Sequence, residues 1–301
     1  QAEAMLAVAG SEVMIRRMMV PQMSAAELAE AVKWQLKDEL PFAVQDAVVD
    51  VQVIGPVWDK DVKKLDVVAA AASREFLQRQ IELAEQAGFK ILGVVPAHLA
   101  LWRALASASP DKHAGTVAVM ELGATQTHVA IFQDGHLRVA RDLPIGSGHL
   151  TQAMVGIAAS GGGQATMDLA KAEQIKCQYG ILAEDAAGST EDGFPLAQLS
   201  ALMRSILDSL LTELARLFDF YKVHLHEGGV GRLVMCGGGA RLKHLPEFLQ
   251  EGLGLPIEVC DPVAQLPAST GSALAQEEGS RLGFQMSGVD LNPVAWFIVK
   301  N

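Results

Sequence analysis

The sequence predicts a mixed α/β fold, because strand-like and helix-like segments alternate along its 301 residues. One observation is a pair of apolar, β-prone runs, residues 117–120 and 128–132, which are joined by a short turn containing Gly123. A second is the segment of residues 196–225, where apolar side chains recur with the period of a helix. The hydrophobic fraction of 50% is enough for a sizeable core, and the length suits about two domains.

The first segment predicts two strands, residues 5–10 and 13–18, around a turn at Gly10 and Ser11. The chain begins at Gln1, without a methionine, and almost directly in the first of these runs. We therefore expect that the sequence is a fragment of a longer protein and that the natural N-terminus is missing.

Residues 22–91 predict a compact unit of helix, strand, strand and helix. Ser24 followed by Glu27 is a capping box, which predicts a helix start, and Pro41 ends that helix. Gly88 predicts the end of the second helix. The two strands and the second helix are residues 48–54, 65–72 and 74–87.

The second half of the chain predicts a strand meander followed by helices and two further strands. The Asp134-Gly135 pair predicts a hairpin turn within the meander, whose third strand covers residues 137–143. A polar linker at residues 107–114 separates the meander from an earlier strand and helix, residues 91–95 and 96–108. The remaining predicted helices are residues 150–158, 167–179, 196–225 and 245–253, and the remaining strands are residues 232–236 and 257–259.

Composition and charge exclude several classes of function. A net charge of −11 and a pI of about 5.2 argue against nucleic acid or an anionic membrane surface as the main partner. Three separated cysteines without metal-ligand spacing indicate a reducing compartment. The sequence contains no apolar run of transmembrane length, no signal peptide, and no His, Cys, Asp or Glu group with the spacing of a metal site.

The turn after the first strand of the meander is the first candidate site. Glycine lets a backbone approach a ligand closely, and free amides with threonine hydroxyls can hold phosphate. On this reasoning Gly123, Ala124, Thr125 and Thr127 are candidates for a phosphate contact, with an ordinary β-turn as the alternative. Glu121 is the candidate for orienting water around Mg²⁺, with a solvated turn carboxylate as the alternative.

Two further sets of residues are candidates for contacting a nucleotide. The first is the glycine loop between a predicted strand and helix, which contains Gly237, Gly238, Gly239 and Ala240. A backbone without side chains can lie flat against a base and a sugar, although a tight strand-to-helix turn would also use one or two glycines. The second is Glu173 and Lys176, which lie three residues apart on one helix face, with an exposed ion pair as the alternative interpretation.

The order of these motifs resembles the second half of the actin-like ATPase superfamily. A Glu-Leu-Gly-Ala-Thr hairpin at residues 121–125 precedes an Ala-Glu-x-Ile-Lys helix at residues 172–176, and a strand, glycine loop and helix follow at residues 232–253. In that superfamily the first loop holds nucleotide phosphates, the helical Glu and Lys lie near the ribose and base, and the glycine loop approaches the adenosine. The resemblance implies these roles for the candidate residues.

Finer details resemble the PilM family of type IV pilus assembly proteins over roughly residues 5–262. The resemblance implies an actin-like (ribonuclease H-like) fold of two lobes, in which the αββα unit is an insert of the FtsA type. The matching text includes Ile15-Arg16-Arg17, Val20-Pro21-Gln22-Met23, Glu39-Leu40-Pro41-Phe42, Ala84-Glu85-Gln86-Ala87-Gly88, Arg141-Asp142-Leu143-Pro144-Ile145-Gly146 and Leu255-Pro256-Ile257-Glu258-Val259.

The function implied by this resemblance is that of a cytoplasmic, nucleotide-binding component of the inner-membrane platform that assembles type IV pili. ATP with Mg²⁺ would bind between the lobes. The short cytoplasmic N-terminus of PilN would bind in a groove between the first lobe and the insert, near residues 15–20, and would hold the protein at the inner membrane. The alternatives are a type II secretion platform protein, an FtsA-like division protein and, less favoured, a small-molecule kinase of the same superfamily.

The resemblance also implies a division of the chain into lobes. The first lobe would comprise residues 1–21 and 92–112, with the insert at residues 22–91 between them. The second-lobe core would comprise residues 113–150 and 226–276, its helical subdomain residues 151–225, and the C-terminal tail residues 277–301.

The C-terminal tail contains Val289-Asp290-Leu291-Asn292-Pro293, which loosely resembles the partner's Asn-Leu-Leu-Pro type of motif. This segment would fit a peptide groove, although a frayed end is the favoured alternative.

Two departures from the family pattern bear on hydrolysis. The family's first phosphate loop, an Asp-x-Gly hairpin with a nearby lysine, has no counterpart in this sequence. Glu121 replaces the aspartate of many actin relatives, and its additional methylene would hold a metal-bound water differently. We expect at most slow ATP hydrolysis, with the nucleotide acting as a conformational clamp.

Overall fold

The computed structural model describes residues 2–108, 115–159, 166–183, 186–224, 228–260 and 298–299, which form a mixed α/β arrangement. The strands are β1 Ala2–Val8, β2 Val13–Pro21, β3 Ala47–Asp59, β4 Val62–Ser73, β5 Phe89–Pro96, β6 Thr116–Leu122, β7 Thr127–Gln133, β8 His136–Leu143, β9 Arg232–Cys236, β10 Ile257–Val259 and β11 Ile298–Val299. The helices are α1 Ala25–Gln35, α2 Arg74–Gln86, α3 Ala97–Ala108, α4 Ser147–Met154, α5 Leu169–Tyr179, α6 Leu196–His224 and α7 Leu245–Leu253.

The helices and strands expected from the sequence are present, with differences at their ends. The backbone N–H of Ser24 donates to the Glu27 carboxylate at 3.2 Å, which confirms the capping box at the start of α1. Gly88, with a φ of +91°, follows the end of α2 as expected. The helix expected at residues 150–158 was wrong at both ends, because α4 begins at Ser147 and because Gly156, with a φ of +87°, lies beyond its last turn.

The largest sheet has the strand order β10-β9-β6-β7-β8. β6, β7 and β8 form the predicted antiparallel meander, whereas β9 runs parallel to β6 and β10 runs parallel to β9. Asp134 and Gly135 have φ values of 49° and 82°, so the hairpin turn has the left-handed backbone that this residue pair favours. The parallel pairing of β6 and β9 brings the loops that follow these two strands to one edge of the sheet.

A β-bulge changes the register between β7 and β8. The register shifts by one residue between Ile131 and Phe132. As a result His128 lies opposite Asp142, whereas an unbroken ladder counted from the turn would place it opposite Arg141. A shift of one residue moves a side chain to the other face of a strand, so the bulge decides which side chains of β8 lie beside His128.

Two smaller sheets complete the strand topology of the described residues. β2, β4 and β3 form an antiparallel sheet in that order, and β1 lies between parallel β5 and antiparallel β11. The first two strands therefore enter different sheets, although only a turn at Gly10, with a φ of +108°, separates them. The predicted order of helix, strand, strand and helix is present as α1, β3, β4 and α2, and β2 adds an edge strand to the same sheet.

Apolar side chains cover the large sheet on both faces. Met120 and Leu122 of β6 belong to a cluster that includes residues of α4, α5, α6 and α7. Val117 and Val119 belong to a second cluster on the opposite face, which includes residues of α3 and of β2. A third cluster joins α1 to the sheet of β2, β4 and β3. The large sheet is thus a rigid support for the loops at its edge.

Some predicted features fall outside the described residues. These are most of the expected linker, residues 109–114, and most of the expected tail, including Val289 to Pro293. Along the described parts of the chain, no helix has the length and apolar character needed to cross a membrane.

Candidate functional site

The loop that follows β6 is held against the start of α4. The backbone N–H of Ser147 donates to Gly123 O at 2.8 Å, and that of Gly148 donates to Ala124 O at 2.8 Å. A Cβ atom at Gly146 would come within 2.4 Å of Ala124 O, so this approach of two backbones requires glycine. The predicted phosphate loop is therefore fixed by the chain that follows the meander.

The tip of this loop contains two backbone donors without a partner in the described part of the chain. The N–H groups of Ala124 and Thr125 donate to no other group among the described residues, and Thr125 is exposed. Thr127 differs, because its side chain is fully buried and its hydroxyl donates to Ile145 O at 2.5 Å. In this conformation Thr127 holds the loop in place, and the amides at the tip are the groups that remain for an anion.

The glycine loop after β9 packs directly against the last residue of β6. Gly237 has a φ of +88°, and a Cβ atom there would lie 2.8 Å from Leu122 O. A Cβ atom at Gly239 would lie 2.4 Å from Leu122 Cγ. Gly238 lies between them, and Ala240 is buried in the short turn that follows. The two loops predicted to bind nucleotide thus meet at one edge of the sheet.

Lys176 of α5 connects α5 to α4 in the interior. Its Nζ atom donates to Ser147 O at 3.1 Å and to Thr151 Oγ1 at 2.8 Å, and it lies 2.7 Å from a carboxylate oxygen of Glu173. The lysine side chain is 4% exposed, so this pair is not the exposed ion pair considered as the alternative. Burial alone would raise the pKa of Glu173, but the bonds from Lys176 and Thr151 outweigh burial and hold that pKa below its ordinary value of 4.5.

A row of polar side chains crosses the meander on the face of β6 that carries Val119. Glu121, His128 and Asp142 occupy paired positions on β6, β7 and β8. His98, in the first turn of α3, joins this row. Its Nε2 atom lies 2.9 Å from Asp142 Oδ1, and His128 Nδ1 lies 2.6 Å from the same oxygen. We call these four residues the polar row.

Burial and mutual charge shift the pKa values of the polar row. Burial raises the pKa of Glu121 above its ordinary value of 4.5, although His128 and His98 oppose the shift. Burial would also raise the pKa of Asp142, but the hydrogen bond with His128 and the contact with His98 hold it well below 3.8. Burial would lower the pKa of His128, yet Asp142 and Glu121 raise it above 6.5. The row is therefore a strongly coupled group of charges.

An open cleft of about 240 Å³ lies beside the polar row. One wall is formed by Ile15 and Arg16 of β2 and by Glu39, and the other is formed by β8. His98 and Asp142 of the polar row also line it. Arg16 and Glu39 form an ion pair between exposed side chains at this cleft.

Comparison with known proteins assigns the chain to a family. A family model described as type IV pilus assembly protein PilM matches residues 1–281. The chain belongs to the PilM family. The family membership expected from the sequence is thereby confirmed, with a match that extends over most of the chain.

The chain is also similar to solved structures and to a curated relative. The PilM-family chain is similar to a structure titled PilM-PilN type IV pilus biogenesis complex, at 23% identity and a TM-score of 0.71, over 98% of this chain and 80% of that one. The chain therefore shares the mixed α/β fold of that structure. A weaker likeness, at 16% identity and a TM-score of 0.46, is to MreB5 of Spiroplasma citri bound to AMPPNP, over 70% of this chain and 63% of that one.

The curated relative is the cell division protein FtsA of Bacillus subtilis (strain 168). It is 24% identical over 248 residues, which cover 74% of this chain. The PilM-family chain spans about half of that relative's length, namely 53%.

The structure of this PilM-family chain brings most of the predicted site residues together. The loop of residues 123–127, the glycine loop of residues 237–240 and the Glu173–Lys176 pair all adjoin α4 or Leu122. Glu121 is set apart from them, because its side chain joins the polar row. Sequence reasoning missed His98, His128 and Asp142, since the register of β7 and β8 and the packing of α3 bring them together from separate parts of the chain.

Proposed function

We propose that this PilM-family chain is a cytoplasmic, nucleotide-binding component of the inner-membrane platform for type IV pili. The observation that carries the proposal is the shared edge of the two loops, where the amides of Ala124 and Thr125 have no partner among the described residues and where Gly237 and Gly239 pack against Leu122. Free amides at a tight turn suit a phosphate chain, and a glycine backbone suits the flat adenosine. The lobe boundaries given above, with residues 22–91 as an FtsA-type insert, belong to the same proposal.

Each group of candidate residues would contact or support a different part of ATP. Ala124 and Thr125 would donate amide hydrogen bonds to phosphate oxygens, and the glycine loop would lie against adenosine. Lys176 is already bonded inside the protein, so its role would be to position Glu173 near the ribose. Thr127 would shape the loop through its bond to Ile145.

Glu121 is the residue that bears on hydrolysis. Its carboxylate is buried, and its raised pKa weakens the charge that a water-orienting group for Mg²⁺ would need. The weakened charge of Glu121 supports the proposal that bound nucleotide acts as a conformational clamp and is hydrolysed slowly at most. Rapid multiple-turnover hydrolysis of ATP by the chain would contradict the proposal that the nucleotide is a clamp.

Calorimetry with ATP and Mg²⁺ tests nucleotide binding. Thr125 is exposed at the loop tip, so Thr125→Glu places a negative charge beside the phosphates and should weaken ATP binding by about ten-fold or more, roughly 1.4 kcal/mol. The matched variant Thr125→Gln has nearly the same size without the charge and should retain affinity within a few-fold. Absence of ATP binding by the unmodified chain, or equal affinities of the two variants, would refute the proposal.

The cleft beside β2 supports the second part of the proposal, binding of the N-terminal peptide of PilN. Ile15 and Arg16 of β2 line it together with Glu39 and Pro41, and β8 of the predicted second lobe lies opposite, so the cleft is not the groove between the first lobe and the insert that the resemblance implies. The related structure at a TM-score of 0.71 is titled as a PilM-PilN complex. An extended peptide in such a groove would combine backbone bonding with side-chain pockets, and it would hold this chain at the membrane through its partner.

Titration with a synthetic peptide of the PilN N-terminus, followed by fluorescence anisotropy, tests this part. Arg16→Glu reverses a charge at the cleft and should weaken peptide binding by about ten-fold or more. Arg74→Glu makes the same change at an exposed position of α2 outside the cleft and should leave binding unchanged. Equal effects of the two variants would exclude this cleft as the peptide site.

A further inference from the structure

The polar row has the composition of a transition-metal site. One nitrogen each from His98 and His128 and one oxygen from Asp142 all lie within 4.8 Å of one another. Imidazole nitrogen and carboxylate oxygen are ordinary ligands of Zn²⁺ and of similar first-row divalent cations. Three such ligands with a further open position are typical of accessible zinc sites in proteins.

His98 supplies an independent observation. Its side chain is 6% exposed, and neither ring nitrogen makes a well-directed hydrogen bond to any group in the described part of the chain. The 2.9 Å approach of Nε2 to Asp142 is therefore a close contact without good hydrogen-bond direction. A buried imidazole without a directed hydrogen bond lowers the stability of the fold by about 1–3 kcal/mol. A bound cation would accept the lone pair of the imidazole nitrogen.

The charges of the row match a divalent ion. Asp142 and Glu121 provide two carboxylates, and His98 and His128 each provide an imidazole nitrogen. Glu121 lies opposite His128 in the sheet, so its carboxylate is near this group without being one of the three ligands. Two negative charges and one divalent cation sum to zero, so the ion would remove the repulsion between these two carboxylates.

The geometry requires only a small adjustment. The nitrogens lie 2.9 Å and 2.6 Å from Asp142 Oδ1. Ligands at about 2.0–2.1 Å from a tetrahedral ion are about 3.3 Å apart, so each nitrogen must move away from Asp142 Oδ1 by less than about 1 Å. The two nitrogens lie within 4.8 Å of each other. His98 and Asp142 also line the cleft, which gives an ion a path of entry.

We propose that His98, His128 and Asp142, with Glu121 beside them, bind one Zn²⁺ or a similar divalent transition metal. The ion would fasten the first turn of α3 to β7 and β8, and its open position would face the cleft. This inference stands apart from nucleotide and peptide binding, and neither of those activities is needed for it.

Calorimetric titration of the EDTA-treated, desalted chain with ZnCl₂ tests the site. We expect one Zn²⁺ per chain, with affinity lowered about ten-fold or more by His98→Gln and by Asp142→Asn. His136→Gln changes an exposed histidine on the same strand as Asp142 and should leave the affinity unchanged. Absence of binding by the unmodified chain would overturn the proposal, as would binding that neither ligand variant weakens.

Circular dichroism without metal shows whether each variant folds. The asparagine of Asp142→Asn has nearly the same shape as the native aspartate. This variant therefore tests metal binding even if His98→Gln fails to fold. Replacement of Zn²⁺ by Co²⁺ adds a ligand-field absorption band, which should appear for the unmodified chain and the His136→Gln variant. Its presence at full strength in the Asp142→Asn variant would place the metal elsewhere and overturn the proposal.

Discussion

Lys176 shows how one buried charge can organise two helices. Its ammonium group reaches from α5 to Ser147 and Thr151 of α4, and Glu173 neutralises it. A buried charge that keeps its partners is tolerated, whereas the loss of one partner leaves the others without a bond. The same helix start, at Ser147, holds the predicted phosphate loop through Gly123. The residue therefore supports the site without facing a ligand.

We predict that Lys176→Met lowers the free energy of unfolding by about 2–3 kcal/mol, because Glu173 and Thr151 lose a charged hydrogen-bond donor while the methylene packing is kept. Urea denaturation measures the change. Lys222→Met removes a lysine from an exposed position of α6 and should change stability by less than about 0.5 kcal/mol. A similar effect of both substitutions would show that the buried bonds contribute little.

The lowered pKa of Glu173 predicts that stability depends on pH. Its folded-state pKa lies below the ordinary value of 4.5, so its contribution to stability is present above pH 4.5 and is lost as the pH falls through the folded-state pKa. We expect the stability difference between the unmodified chain and Glu173→Gln to be largest at neutral pH and to shrink in acid. Urea denaturation with EDTA between neutral pH and about pH 3 measures it.

The control for this pH series is Glu251→Gln, at an exposed position of α7. Its stability should follow that of the unmodified chain across the series. A stability difference for Glu173→Gln that stays constant in acid would contradict the assignment.

At the scale of elements, the start of α4 and the loop after β6 form one unit. A side chain at Gly146 would clash with the backbone of Ala124 and Thr125. We predict that Gly146→Ala costs about 1–3 kcal/mol of stability and speeds hydrogen exchange of the Ala124 and Thr125 amides, because the loop must move away. Denaturation and amide exchange detect these effects.

Gly55→Ala is the matched control, because a Cβ atom at Gly55 meets no heavy atom within 4 Å. It should change stability by less than about 1 kcal/mol. Unchanged amide exchange at Ala124 in the Gly146→Ala variant would show that the loop does not depend on this contact.

The elements themselves were largely predictable from the sequence, whereas the register between them was not. Periodicity located α6, and the Asp134-Gly135 pair located the hairpin turn. The bulge near Phe132 has no comparable local signal in the sequence. His128 and Asp142 therefore could not be paired in advance, and the polar row was missed for this reason.

The candidate site shows the same division between local and tertiary information. The glycines of both loops were found because close backbone approach restricts those positions to one residue type. The burial of Lys176 and the inward direction of the Thr127 hydroxyl depend on neighbours more than 15 residues away in the chain, namely Ser147 and Ile145. Spacing along a helix or strand carries no information about such contacts.

At the scale of the whole molecule, one apolar cluster joins the small sheet of β2, β4 and β3 to the large sheet. Ile15 of β2 and Val68 of β4 pack in the same cluster as Leu101 of α3 and Phe132 of β7. This cluster lies beside the cleft, which Ile15 also lines. The relative position of the two sheets, and with it the width of the cleft, therefore depends on packing at Ile15.

We predict that Ile15→Ala lowers the free energy of unfolding by about 2–5 kcal/mol, because it leaves a cavity between the two sheets. Met19→Ala, on the same strand at a position that is 49% exposed, should cost less than about 1 kcal/mol. Denaturation gives both values. If Ile15→Ala proved as mild as Met19→Ala, the two sheets would have to be held together by other contacts.

The insertion of β9 beside β6 has a consequence for the order of folding. The meander of β6, β7 and β8 joins strands that are neighbours in the chain, but the contact between Met120 and Cys236 closes a separation of 116 residues. Local contacts generally form before those that close long loops. We expect His128 and Asp142 to meet early in folding. The edge where the two loops come together would form only after β9 has been synthesised and has docked.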